Sequence, residues 1–142
     1  MGTRSLVHIK DGKKTIATIY RQYDGYPTGM GDDIKEALND GNVTILNGFG
    51  GQAVPSHFNG MGCLGAFLIG ELKEKKIGNV YMFPVNSKDV GEEFVYTLSE
   101  VGGKVKLKVT DSYENKVIFN GMLKDFDGKT VEGISNDQEI GA

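Results

Sequence analysis

Arg21, Tyr23, Asp24 and Tyr26 stand almost side by side, and Gly29, Gly31 and Asp32 follow directly. A guanidinium pairs with phosphate or carboxylate, and a tyrosine ring offers a wide face for a planar group or a partner surface. Tyr and Arg are also the types that concentrate at binding hot spots. A plain connector needs only turn formers: Asp24-Gly25 to reverse the chain, Pro27 to fix φ, and glycines for a second reversal. The extra tyrosines and arginine therefore predict a binding loop. The predicted ligand set is Arg4, His8, Arg21, Tyr23, Asp24, Tyr26, Gly29, Gly31 and Asp32, and the ligand is a nucleotide-like small molecule or a host protein. Glycine-rich turns at Gly29–Asp32 and Asn47–Gly51 would present backbone N–H groups to an anion. Two other readings stay open. One is a small enzyme acting on a nucleotide or sugar phosphate, with Asp24 or His8 as base and Arg21 as anion stabiliser. The other is a structural or assembly protein that uses the loop as a homo-oligomer contact.

Other motifs carry less. Gly60-Met61-Gly62-Cys63-Leu64-Gly65 has dinucleotide-fingerprint spacing, but the helix starts too early, no carboxylate ends the next strand, and no βαβ repeat surrounds it. Cys63 is expected to be a buried structural thiol. Two histidines and one cysteine make no zinc set, and Asp125-Phe126-Asp127-Gly128 is too short for a calcium loop. No catalytic residue, metal ligand or cofactor is assigned.

The elements that must position the loop follow from hydrophobic periodicity. Ser5–Lys10 alternates as a strand, Asp11-Gly12 turns it, and Thr15–Tyr23 returns, which puts His8 across the hairpin near Arg21. Asp32–Asn39 reads as a short helix and Val43–Leu46 as a short strand. A second helix is predicted over His57–Lys76, after Pro55 and a Ser56 cap. Its Gly62, Ala66 and Gly70 share a face, which predicts close packing, against the sheet in preference to a partner subunit. Asn79–Val85, Phe94–Ser99, Lys104–Thr110 and Lys116–Met122 read as strands, the last three as a meander with its lysine stripe facing water. Roughly the last 15 residues are polar and predicted to fray. The expected fold is a single α+β domain over residues 1–142: a mainly antiparallel sheet of about five or six strands with two helices on one face.

Composition fits one domain. The chain has 142 residues, 39% of them hydrophobic and 25% charged, enough to bury a core. Its net charge of -3 and pI near 5.4 give no electrostatic case for nucleic acid or an anionic membrane. The 21 glycines fall in clusters without a repeat, which points to tight turns. One cysteine, no signal-peptide pattern and no membrane-length apolar run predict a cytoplasmic protein.

The opening Met1-Gly2-Thr3-Arg4-Ser5, the Asp11-Gly12 turn and the run Ile19-Tyr20-Arg21-Gln22-Tyr23-Asp24-Gly25-Tyr26-Pro27-Thr28-Gly29-Met30-Gly31 together resemble an uncharacterised group of small bacteriophage and bacterial proteins with no established function. The resemblance covers roughly the first quarter of the chain, and Gly48–Gly70 is similar in character only. It implies a phage or prophage setting in the host cytoplasm, and an accessory factor that binds a host component instead of a metabolic enzyme.

Overall fold

A computed structural model describes residues 2–46 and 57–140. Ser5–Asp11 (β1) and Lys14–Arg21 (β2) form the expected antiparallel hairpin, with Gly12 at φ 63° in the turn. Pro27–Gly31 is a single π-helical turn that runs straight into α1 (Asp32–Ala37). Two three-residue strands, β3 (Thr44–Leu46) and β4 (His57–Asn59), pair in parallel and lead into α2 (Gly60–Lys73). Then come β5 (Val80–Phe83), β6 (Phe94–Val101), β7 (Lys104–Asp111), β8 (Lys116–Met122) and α3 (Gly128–Ile140).

The class is α+β. Six strands form one mixed sheet in the order β5-β2-β1-β6-β7-β8. Four of its five pairings are antiparallel, and β1 with β6 is parallel. That parallel pair arises because the meander docks beside β1, not beside β5, so Pro84–Glu93 must cross two strands to reach it. One face is the core: Val7, Ile9, Ile19, Tyr96, Leu98, Leu107 and Val109 share it by register and are fully buried. At this depth each such side chain contributes roughly 1.5–3 kcal/mol of apolar transfer.

Several expectations need correction. α2 begins at Gly60, not at His57, because Gly60 sits at φ 84° and the three residues before it pair with β3. The predicted Ser56 cap and the Asn47–Gly51 turn lie outside the described residues. Gly62, Ala66 and Gly70 face outward, and a Cβ on either glycine would meet nothing within 4 Å. The close approach is at Gly65, where a Cβ would come 3.2 Å from Ile9 Cδ1. Cys63, expected to be buried, is exposed. A third helix, α3, replaces the expected frayed tail. Phe126 and Val131 are buried, the Thr28 hydroxyl donates to Glu132 Oε1 at 3.0 Å, and Lys35 Nζ donates to the Phe126 carbonyl at 2.6 Å. No helix among the described residues is long and apolar enough to cross a membrane.

Candidate functional site

Arg21 ends β2 on the core face, opposite Ser5, and is almost fully buried. A buried guanidinium must find partners, and it has three. Nη2 meets Asp33 Oδ2 at 2.7 Å, Nε donates to the Tyr23 carbonyl at 2.8 Å, and Nη1 points at Met30 Sδ at 3.6 Å. The side chain thus clamps the loop to the first turn of α1. Beside it lies a cleft of about 290 Å³, lined by Arg21 with Asp33, Glu36, Glu71 and Glu74. Four carboxylates against one guanidinium already paired repel a phosphate.

The glycines of the loop are taken up by packing. Gly25 lies on Ser5, where a Cβ would come 2.7 Å from Ser5 Cβ, and its carbonyl accepts the Tyr96 hydroxyl at 2.7 Å. A Cβ on Gly29 would overlap the Asp24 carbonyl, which accepts the Met30 N–H at 2.8 Å. Gly31 faces Phe126, 2.5 Å from where its Cβ would stand. Asp32 accepts the Gly128 N–H at 3.1 Å and so joins α1 to the start of α3. Burial raises the Asp32 carboxyl above its ordinary range, and that hydrogen bond opposes the shift. Gly29, Gly31 and Asp32 therefore hold the fold together here.

The tip of the loop is free. Tyr23 is 48% exposed and Tyr26 36%, with the Tyr26 hydroxyl donating to Asp24 Oδ1 at 3.0 Å. That hydrogen bond, with the Asp24 charge behind it, raises the Tyr26 phenol above its usual value. Asp24 holds φ 58°, a left-handed conformation that Asp tolerates. The tip is fastened from below by the Gly25 N–H to the Thr3 carbonyl at 2.9 Å and the Tyr23 N–H to Asn79 Oδ1 at 2.9 Å.

Arg4 and His8 lie elsewhere. His8 pairs with Thr18 on the sheet face opposite Arg21, so the hairpin does not bring His8 to Arg21 as the sequence suggests. Its Nδ1 is 2.8 Å from Thr18 Oγ1, and burial lowers its pKa. Arg4 lines a hollow of about 540 Å³ with Gly2, Gly91, Glu92, Glu93, Ser112 and Tyr113. It makes no ion pair among the described residues. A Cβ on Gly2 would run into the Tyr23 ring, so the hollow and the loop tip adjoin. Arg21, Ser5, Phe94, Asp111 and Lys116 form one cross-strand row, which puts the loop tip and the Tyr113 turn at the same end of the sheet.

Tyr113 was missed by sequence reasoning and is 85% exposed. The signal was available: a bulky aromatic at the tip of Asp111-Ser112-Tyr113-Glu114-Asn115, where turn formers suffice. Asp111 Oδ1 accepts the N–H groups of Tyr113 at 2.9 Å and Glu114 at 3.2 Å, which fixes the turn that carries it. No group of His, Cys, Asp or Glu among the described residues is arranged to hold a metal ion. Comparison of the chain with family models, curated proteins and solved structures finds no match in any of the three.

Proposed function

We propose that this chain is a non-enzymatic binding protein that recognises a protein partner through the end of the sheet bearing Arg4, Tyr23, Tyr26 and Tyr113. The observation that carries this reading is the exposure of three tyrosines at the end of the sheet that bears Arg4, which makes no ion pair among the described residues, on turns fastened from beneath. Rigid aromatic anchors lose little entropy on docking, and a guanidinium adds directional donors. The enzyme alternative with His8 as base loses ground because His8 and Arg21 lie on opposite sheet faces, and with either base its anion stabiliser, Arg21, is already paired with Asp33. The nucleotide alternative loses ground because Arg21 is paired within an acidic cleft. In the phage or prophage setting that the N-terminal resemblance implies, the partner is a host factor.

The test is affinity capture with four baits: the parent chain, Tyr23→Ala, Arg4→Ala, and Ile16→Ala at the far end of the hairpin. A protein held by the parent and Ile16→Ala and lost by the other two supports the surface, and its purified form should bind each of those two roughly 30-fold more weakly. Captured proteins that survive both substitutions would remove this surface from consideration. A nucleotide that stabilises the chain, with the effect lost in Arg21→Ala, would favour the small-molecule reading. Ligand at a hundred times its Kd adds about 2.7 kcal/mol.

A further inference from the structure

Pro84–Glu93 forms a strap over the sheet face that carries no helix. β5 and β6 run in the same direction, separated by β2 and β1, so the connection must cross both. It crosses on the face of Thr18, since the Asn86 N–H donates to Thr18 Oγ1 at 3.1 Å. Leu6 and Thr18 are fully buried on that face. The strap itself is irregular, with Asn86, Asp89 and Gly91 all at positive φ. Glu92 folds it internally by accepting the N–H groups of Asp89 at 3.1 Å and Val90 at 2.8 Å. Its far end supplies Gly91, Glu92 and Glu93 to the hollow around Arg4.

The hook at Thr18 has a direction. Thr18 Oγ1 accepts from Asn86, and its own proton needs an acceptor because the residue has no access to water. His8 Nδ1, at 2.8 Å, is that acceptor, which requires the neutral ring with its proton on Nε2. Protonating the ring turns Nδ1 into a donor to Oγ1, whose second lone pair can still accept Asn86, but it leaves the Thr18 hydroxyl proton buried and unpaired until the strap lifts and admits water. The cation is attracted to Glu92, the carboxylate that folds the strap, and that attraction opposes the loosening. The charges acting on His8 are Glu92 on the strap and Lys10 on its own strand, and its in-register neighbours on β2 and β6 are the uncharged Thr18 and Thr97.

We infer that Pro84–Glu93 is a pH-responsive strap: a proton on His8 unhooks Asn86 from Thr18 and loosens the wall of the Arg4 hollow. The unhooking stands alone, and only its effect on binding rests on the function proposed above. Burial, by lowering the His8 pKa, sets the transition below the midpoint of an ordinary histidine.

Hydrogen exchange of the free full chain at pH 7.5 and 5.5, corrected for intrinsic rates, reads the hook directly. Strap amides in the parent should exchange about tenfold faster at the lower pH, the factor expected for one lost hydrogen bond. His8→Asn places Oδ1 close to the position of Nδ1, accepts the Thr18 hydroxyl and does not titrate, so its strap should stay protected at both values. Thr18→Val should exchange fast at both. Equal protection of the parent at the two pH values, or the same loss in His8→Asn, overturns the inference. An NMR titration of the parent gives a second reading that needs no variant. Strap amides should follow the His8 midpoint, and that midpoint should lie below 6.5, the ordinary histidine value. Strap amides that do not follow the His8 midpoint, or do not titrate, also overturn it. Partner capture at both pH values then isolates the coupling. Binding lost at pH 5.5 by the parent and kept by His8→Asn supports it, and pH-independent binding by the parent refutes it. Absence of any partner at pH 7.5 counts against the proposed function and leaves the exchange result standing.

Discussion

Substituting Gly62, Gly65 and Gly70 of α2 by alanine, one at a time, separates open surface from close approach within one helix. Glycine in a helix costs about 1 kcal/mol relative to alanine, less near the ends. Gly62 and Gly70 each have empty space where a Cβ would stand. Gly62→Ala and Gly70→Ala should therefore stabilise by about 0.5–1 kcal/mol each, or roughly 2–4 °C in Tm for a chain of this size. The two sites share no neighbour, and their gains should add to within about 0.5 kcal/mol. Gly65→Ala gains the same propensity but drives a methyl to 3.2 Å from Ile9 Cδ1 and 3.3 Å from Cγ2. Ile9 is fully buried in the central strand and has little room to retreat, so overpacking of about 1–3 kcal/mol should cancel or exceed the gain. Urea unfolding followed by far-UV circular dichroism measures all four chains. A destabilised Gly62→Ala or Gly70→Ala would refute the reasoning, because it would mean that something covers this face in solution. Sedimentation of the same samples would then show whether a second copy does so.

Three further outcomes are expected. Asp33→Ala should cost about 1–2 kcal/mol in urea, because Arg21 stays buried without its counter-charge; Asp33 is 44% exposed, which reduces the loss from that of a fully buried pair. Ser5→Ala should be neutral or stabilising by up to about 1 kcal/mol, since Ser5 Oγ is buried without a hydrogen-bond partner, whereas Tyr96→Phe should lose about 1–2 kcal/mol by orphaning the Gly25 carbonyl; thermal melts of the pair distinguish the two. His8 has a folded pKa below its unfolded one, so the unfolded chain binds more protons in acid, and stability present above pH 6.5 should fall as pH drops through that value toward the folded pKa. A urea midpoint measured against pH should show that decline in the parent and less of it in His8→Asn.

The strands were legible because a half-buried sheet writes its period into the sequence: Val7 and Ile9, Phe94, Tyr96 and Leu98, and Val105, Leu107 and Val109 each alternate with polar neighbours. Their order was not, since nothing local says that β6 pairs with β1 across the long excursion through α2. α3 has a weak apolar stripe and is held by partners remote in sequence: Asp32 meets Gly128, and Thr28 meets Glu132. Such contacts override local polarity, and a periodicity argument cannot see them. The hairpin partner of His8 was hidden by a bulge. Counting from the Asp11-Gly12 turn without a break would pair Arg21 with Arg4 and put it on the face of His8. The irregularity between Ile9 and Lys10 shifts the register by one residue, pairs Ser5 with Arg21 and His8 with Thr18, and sends His8 and Arg21 to opposite faces.

The loop carries more chemistry than a turn needs, and the structure sorts that surplus. Arg21 is bound to Asp33, Met30 is core, Gly25, Gly29 and Gly31 make room for Ser5, the Asp24 carbonyl and Phe126, and Asp32 caps the contact with α3. Each of these residue types is explained by what it touches inside the molecule. Tyr23 and Tyr26 are not: smaller polar residues could make the same backbone bonds, and each ring leaves more than a third of itself in water. Tyr113, on a different turn at the same end of the sheet, has the same surplus, and Arg4 lies beside it in a hollow it shares with Glu92 and Glu93, with no ion pair among the described residues. Two turns remote in sequence share no local reason to carry exposed aromatics. The partner recognition we propose gives them a common one, at the loop tip and the Arg4 hollow instead of the buried arginine.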